Sequence, residues 1–434
     1  MNTPTKQVML QPNYLTKFSC IGGECEDDCC TGWQIFVDKP HYKKIKKALS
    51  SEEGGDKTIK KHIKIFRDET ASSQNYAKII LNENKQCSFL NEQKMCDLQQ
   101  CHGEALLPDV CTTYPRQQVF NGQSFESYAT LSCPEIARLC LLADDAMVLT
   151  EEESTLGMHT FLDKNKIGFY EQPLNDIRLT MANLLNPVDY TLNQRLFLSL
   201  FFAIKTKDYF HKHATTDAGE QLAQTMQHFS QAAAKNEVLE LVKEINVSTA
   251  QVFKIIRNML MSIKSSDSIK LIITEIDAKP ERKEDTNQKS TLSLDFNSLI
   301  EKQSAAKYEK YHDRATKIEA VYGTKIDQYF TNYSLNFWLG EWYTDSENLM
   351  VHTRKLLVRI ACIRFMFFSH DAIYSLLEKE DISGEDAMID RIAVEVFYKF
   401  SRAYEHSKVK IDHIEQQIED ADYGLPVLAS LIAF

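Results

Sequence analysis

The chain of 434 residues carries a formal net charge of −11 and is 43% hydrophobic. That is enough apolar matter for two domains with real cores, and it excludes disorder throughout. The acidic balance argues against a protein that coats DNA or RNA, because such affinity rests on clustered Lys and Arg.

In chain order, the first residues, Met1 to Lys6, lack the apolar stretch that export requires. A short helix is expected over His41–Leu49, its Lys43-Lys44 and Lys46-Lys47 pairs reading as a solvated face, and a short strand over Ala77–Leu81. A second short helix follows over Pro134–Leu142, among turn signals such as Gly22-Gly23, Pro108-Asp109 and Asn121-Gly122. From about residue 150 glycine becomes scarce and apolar residues recur at helical spacing. Helices are expected over Ile177–Leu185, from a cap at Asp189 or Thr191 through Lys205, and over Asp217–Asn236 and Ala250–Ser265. Others are expected over Lys307–Tyr322, Ile326–Leu339, Ser346–Phe368, Gly384–Tyr404 and Ile411–Ala421. The run Asp277–Ser293 is polar and too poor in large apolar groups to offset its ordering entropy, so it reads as a mobile loop. No internal repeat of fixed period stands out.

The fold class expected is therefore mainly α: a loop-rich, cysteine-cluster domain over residues 1–145, then an all-α domain over 146–434. The most apolar runs, Leu196–Ile204 and Leu356–Phe368, fall short of the ~18 residues of a membrane span, and the second carries Arg359 and Arg364. A soluble, cytoplasmic protein is expected, with neither membrane nor nucleic acid as partner.

Of eleven cysteines, ten lie between Cys20 and Cys140. In a reducing compartment such density points to metal, with disulfides and inert buried thiols as the other readings. Three groups stand out: Cys20, Cys25, Cys29 and Cys30; then Cys87, Cys96 and Cys111; then Cys133. These eight are the candidate ligands. Cys101, Cys140 and Cys362 read as buried or surface thiols, the last two flanked by Leu and Ile. Zinc knuckles of the C-x2-C kind are absent, and iron–sulfur clusters tolerate wider spacing, so an iron–sulfur centre is expected with zinc as the alternative metal. Eight ligands exceed the needs of one centre, which leaves open two sites, or one site and spare thiols.

The motifs Lys17-Phe18-Ser19-Cys20-Ile21-Gly22, Cys29-Cys30-x-Gly32-Trp33, Cys87-x-Phe89-Leu90, Cys96-x-Leu98-Gln99, Cys111-x-Thr113-Tyr114-Pro115-Arg116 and Leu131-Ser132-Cys133-Pro134-Glu135 resemble the opening of the flagellin lysine N-methylases. The likeness is dense over residues 8–142 and faint beyond. It implies a methyltransferase acting on flagellin lysines, with S-adenosylmethionine as donor and an iron–sulfur cluster, [4Fe–4S], on the eight cysteines named above. The cofactor-binding and catalytic residues stay unassigned. No G-x-G occurs, so no doubly wound donor fold is legible. Tyr114, Tyr128 and Tyr333 are candidate groups for handling the lysine proton, each equally readable as a core or rim tyrosine. A non-catalytic metal carrier or redox-responsive binding protein is the alternative.

Overall fold

The computed structural model describes residues 6–50, 55–67, 72–121, 124–155, 161–163, 172–186, 189–207, 216–262, 295–343, 346–406, 416 and 424–434. The chain forms two compact units, each described by itself. The described residues of the first run up to Ile136 and include the strands formed after residue 148; the second takes residues 137–148 and everything from 172 onward. The division falls inside a helix rather than at residue 145, because the chain leaves the first unit and then returns to it.

In the first unit, β1 (Lys6–Pro12) leads through the turn of α1 (Asn13–Thr16) to the first cysteines. Then come β2 (Phe36–Val37), α2 (Lys39–Ser50), α3 (Gly55–His62), β3 (Ile63–Ile65) and β4 (Ala77–Ile79). These three strands form a small antiparallel sheet in the order β2-β4-β3. Tyr42, Ile45 and Leu49, spaced at helical period, turn the buried face of α2 into a core with Ile35, Val37, Ile59, Ile63, Ala77 and Ile79. After α4 (Asp97–His102) and α5 (Asp109–Thr113), the hairpin β5 (Arg116–Phe120) and β6 (Phe125–Ala129) leads to α6 (Pro134–Leu142). With β7 (Leu149–Thr155) and β8 (Phe161–Asp163) it builds a second sheet, ordered β7-β1-β6-β5-β8. The sequence suggests only one of these eight strands. The others are too short or too polar for their apolar alternation to stand out in the sequence.

The second unit is helical: α7 (Gln172–Leu185), α8 (Leu192–Thr206), α9 (Thr216–Ser230), α10 (Ala232–Val242), α11 (Thr249–Ser262), α12 (Asp295–Gly340), α13 (Leu349–Phe368), α14 (Asp371–Leu377), α15 (Asp386–Phe400) and α16 (Leu425–Ala433). Thr191, not Asp189, caps α8 through a reciprocal capping box with Gln194. The helix expected over Asp217–Asn236 is two helices, interrupted at Gln231, whose backbone is extended. The pair expected over Lys307–Tyr322 and Ile326–Leu339 is one, α12. The ~1 kcal/mol cost of Gly323 in a helix interior is outweighed by burial of Tyr322 and Ile326 on either side. The stretch Asp277–Ser293 and nearly all of Ile411–Ala421 lie outside the described residues. At the end of α15 a π-helical turn, Ser401–Glu405, aims Glu405 at Tyr333.

Among the described residues, no helix is long and apolar enough to cross a membrane.

Candidate metal centre

Two copies of one turn deliver two of the candidate ligands. Leu81-Asn82-Glu83-Asn84-Lys85-Gln86-Cys87 is followed by Leu90-Asn91-Glu92-Gln93-Lys94-Met95-Cys96. In the first, the Asn82 side-chain oxygen accepts from the N–H groups of Asn84 and Gln86, both at 2.9 Å. In the second, Asn91 accepts from Gln93 at 3.0 Å and Met95 at 2.9 Å. Lys85 and Lys94 sit in the left-handed region at φ of 60° and 57°. Such strain costs a non-glycine residue roughly 1–2 kcal/mol, which the Asn-anchored bonds offset. Each turn closes on a bridge, Leu81 to Cys87 and Leu90 to Cys96. Beyond each cysteine the backbone N–H groups two and three residues on face its sulfur: Phe89 and Leu90 for Cys87, Leu98 and Gln99 for Cys96. Amides so placed favour a thiolate. The shared Leu-Asn-Glu-x-Lys-x-Cys pattern is legible in the sequence, but two copies are too few for it to stand out as a repeat.

The neighbouring Cys29 and Cys30 are brought in by a turn capped by Asp28, which accepts from the Cys30 N–H at 2.9 Å. The Cys30 carbonyl then accepts from the Cys87 N–H at 2.8 Å, and Trp33 Nε1 donates to the Cys29 carbonyl at 2.8 Å. Cys111 comes from α5. Cys30, Cys96 and Cys111 pack against the core that buries Cys87, Phe89 and Leu98. Electrostatics follow from this crowding. The Cys30 thiol is raised by its hydrogen bonds with Cys29 and Cys87, whereas Cys87 is lowered chiefly by the hydrogen bond from Cys30. Burial raises Cys111, and negative charge on Cys87, Cys96 and Cys29 raises it further. Burial also raises Cys96. Five thiols thus crowd together, and apart from Cys87, which Cys30 favours as a thiolate, the ionisation of Cys30, Cys96 and Cys111 is opposed by burial or by their neighbours.

The other three candidates stand on other turns. Cys20 and Cys25 flank a tight turn at Gly22–Glu24, closed by the Cys25 N–H donating to the Gly22 carbonyl at 3.1 Å. Gly22 has φ of 59°, and a Cβ there would lie 2.9 Å from Met95 Sδ. A Cβ at Gly23 would lie 2.6 Å from the Gln93 carbonyl oxygen, so this turn rests directly on the second Asn turn. Cys133 stands just before α6, where the Glu135 and Ile136 N–H groups face its sulfur. Burial, reinforced by Cys25 and Cys20, nevertheless pushes its thiol up to about 12. Cys25 is likewise raised, mainly by burial. Cys101 is exposed on α4, while Cys140 and Cys362 are fully buried.

Thiols are the donors that both structural zinc and iron–sulfur clusters take. Thiolates around one tetrahedral zinc ion would lie about 3.8 Å apart, given a Zn–S length near 2.3 Å. Among the described residues, no three of these sulfurs lie within 4.8 Å of one another.

One convergent cluster is not suggested by the sequence analysis: Asp38, His41 and Asp109, whose polar atoms lie within 4.8 Å of one another. Asp38 caps α2 through the His41 N–H at 2.9 Å and also pairs with the imidazole. The Asp38-x-x-His41 spacing at a helix start is its sequence signal, and capping accounts for it. Of the tyrosines, Tyr114 shares a hydrogen bond with Ser132 at 3.0 Å, and Tyr128 is buried. Tyr333 donates to Glu405 at 2.8 Å; burial and that carboxylate hold its phenol well above the ordinary value.

Fold and site define a class: a cysteine-cluster unit combined in one chain with an all-α unit. Residues 178–431, most of the helical unit, match the family model of the FliB lysine N-methylase C-terminal domain. A lysine-N-methylase of Salmonella typhimurium (strain LT2) is 26% identical over 252 residues, 56% of this chain and 59% of that protein. The lysine-N-methylase of Salmonella choleraesuis (strain SC-B67) matches to the same extent. The flagellar biosynthetic protein FliU of Salmonella muenchen is 31% identical over 144 residues, 33% of this chain and 83% of its own length. The match thus spans about three-fifths of the lysine N-methylases. No solved structure matches the chain. The chain belongs to the FliB lysine N-methylase family.

Proposed function

We propose that this protein is a cytoplasmic protein-lysine N-methyltransferase that uses S-adenosylmethionine to methylate flagellin, with an iron–sulfur centre on its N-terminal cysteines. The observation that carries the reading is the match of the helical unit to the C-terminal domain of the FliB lysine N-methylases. The flagellar acceptor draws support from the name of the FliU relative. A net charge of −11 also suits a cationic lysine better than a phosphate backbone.

In the transfer, the neutral lysine amine attacks the sulfonium methyl carbon. The carbon–sulfur bond breaks, the sulfur keeps the electron pair as a neutral thioether, and the amine loses its proton. Alignment of amine and methyl supplies much of the rate. The cysteines of the first unit would hold the cluster, [4Fe–4S] in the form the family resemblance implies. When bound, that group supplies positive charge and Lewis acidity at the thiol sites. Zinc is the alternative metal.

The test is incubation of the anaerobically purified protein with flagellin and isotopically labelled S-adenosylmethionine, followed by mass spectrometry of the flagellin lysines. Methyl groups on lysine are expected. Metal-replete protein that labels no lysine, or that labels only added RNA, would overturn the reading. Acid-labile sulfide and iron in the same preparation are expected; stoichiometric zinc without sulfide would replace the cluster by the alternative metal.

A further inference from the structure

One seam of the helical unit gathers groups from three elements. Tyr333 and Phe337 stand one turn apart on α12, His352 and Arg359 two turns apart on α13, and Glu405 closes the π-helical turn after α15. The Tyr333 hydroxyl donates to Glu405 Oε1 at 2.8 Å, and Arg359 Nε lies 3.6 Å from the same oxygen. The Arg359 guanidinium also rests over the Phe337 ring at 4.9 Å and donates to the Lys355 carbonyl at 3.1 Å. His352 stacks on Phe337 with ring centroids 5.0 Å apart, and Phe397 meets the Tyr333 ring at 5.3 Å. Both partners of the carboxylate thus sit on one of its oxygens. Among the described residues no hydrogen bond reaches Oε2. Glu405 is also the polar member of the seam that reaches solvent: its side chain is 20% exposed, against 8% for Arg359 and 2% for Tyr333.

We propose that Glu405 is the lysine-recognising group of this unit: Oε2 receives the ε-amino group of the acceptor lysine, while Tyr333 and Arg359 hold the carboxylate through Oε1. The inference rests on the lysine methyltransferase reading made above. A carboxylate oxygen only accepts, so its ligand must bring an N–H or O–H donor, and a cationic donor makes the stronger bond. Two buried anchors fix the carboxylate without occupying its outer oxygen, which spares the ligand the entropy of ordering that side chain. Tyr333 is a neutral donor and leaves the negative charge in place. Arg359 stands beyond hydrogen-bond reach and shares its guanidinium with the ring beneath it. His352, fully buried, is held neutral by burial and by Arg359 and Lys355, so it adds no positive charge against an incoming lysine. The backbone is built for the placement. Over Ser401–Glu405 the helix widens into a π-turn, a departure from regular geometry that recurs at functional sites. It sets Glu405 on the seam rather than on the face that a continued α-helix would give. Every residue named lies within the stretch that matches the lysine N-methylase C-terminal domain.

The experiment uses the full chain isolated without oxygen, with flagellin as acceptor. Wild type, Glu405→Gln, Tyr333→Phe and Glu240→Gln are compared, the last altering an exposed glutamate of α10 as the control. Binding of flagellin is measured before and after acetylation of its lysines, which removes their charge. KM for flagellin and kcat are measured with labelled S-adenosylmethionine, and circular dichroism checks folding. In the wild type and the control, acetylation should weaken binding by roughly ten- to a hundredfold, the worth of a hydrogen bond to a charged group. Glu405→Gln should bind unmodified flagellin about as weakly as the wild type binds the acetylated form, and acetylation should then cost it little. Its KM for flagellin should rise by a similar factor, with the KM for S-adenosylmethionine unchanged. Tyr333→Phe should raise the flagellin KM by roughly threefold to tenfold and keep the preference for unmodified lysines. Equal sensitivity to acetylation in the wild type and a folded Glu405→Gln would overturn the proposal. A Tyr333→Phe protein with the wild-type KM would remove the anchor, and the proposal with it, even if Glu405→Gln failed to fold. A wild type that methylates no flagellin lysine would defeat the parent reading and this one together, whereas a failure confined to the variants defeats this one alone.

Discussion

The two units of this chain are stabilised by different means. In the helical unit, sixteen of the twenty residues of α13 are buried, so this helix is core on every face. Around it the aromatic rings of Phe253, Tyr311, Phe365 and Phe434 stack or tilt against one another at 5.1–5.9 Å. In the cysteine unit, the cluster beneath the tandem turns is thirteen buried residues, mostly Ile and Leu with Tyr42 and Phe89, and Cys87 is among them. One region rests on dense aromatic and aliphatic packing; the other surrounds its core with thiols, and on the proposed reading a metal held there would add to the stability of that region alone.

The sharpest way to break this contrast is to remove the metal. Anaerobic chelation is expected to raise amide hydrogen exchange across Ile35–Leu107 by several orders of magnitude, since structural metal supplies on the order of 10 kcal/mol of folding energy. Exchange in α13 should hardly change. Equal protection in both units after stripping would mean that the cysteine unit needs no metal. Next in size is Asp327→Ala. It strips the carboxylate from Arg195, a buried guanidinium that also donates to the Leu185 carbonyl and to Thr331 Oγ1, each at 2.8 Å. An uncompensated buried charge costs about 3–5 kcal/mol. Denaturant melts followed at tryptophan should show it, with metal absorbance unchanged before the transition.

A smaller effect, about 1–3 kcal/mol, is expected from Asn91→Ala, which deletes the bonds that hold the second turn. It should lower metal retention and leave the helical melt where it is; retention equal to the wild type would show that the turn does not place Cys96. The smallest is a pH effect. Hydrogen bonding to His370, helped by Lys399 and opposed by burial, lowers Glu395 to about 2. A carboxylate lowered on folding contributes stability above its unfolded value, about 4.3, and loses it as pH falls through the folded one. Glu395→Gln should therefore flatten the acid limb between about 4.3 and 2 in the helical unit, by roughly 1 kcal/mol once solvent screening is allowed for. An unaltered acid limb would show that the pair contributes nothing.

Much of this was legible in the residues, and what escaped has physical causes. Helix α6 begins and ends where Pro134 and the apolar run to Leu142 say it should, and Thr191 announces its own cap. The cysteines declare themselves by density. Their grouping does not, because Cys87 and Cys30 are joined by a backbone hydrogen bond across more than fifty residues of chain, a proximity that folding alone creates. The strand β7 was invisible for another reason. Its Leu-Thr-Glu-Glu-Glu-Ser-Thr sequence has one large apolar residue, and pairing with β1 along its whole length makes it a strand. Tyr333 could be named from sequence, but its fate as a protonated donor depends on a π-helical turn seventy residues on.

That pairing has a consequence for the order in which the protein can be completed. β1 holds seven paired positions with β7 and only two with β6. As the chain leaves the ribosome, the strand that leads directly to Cys20 waits with an open edge until residue 155 has emerged. A polypeptide cut at residue 145 contains every one of the eight candidate ligands and still lacks the partner of its first strand. Such an edge is a ready template for a second chain, so that fragment should self-associate where one extended through Thr155 stays monodisperse.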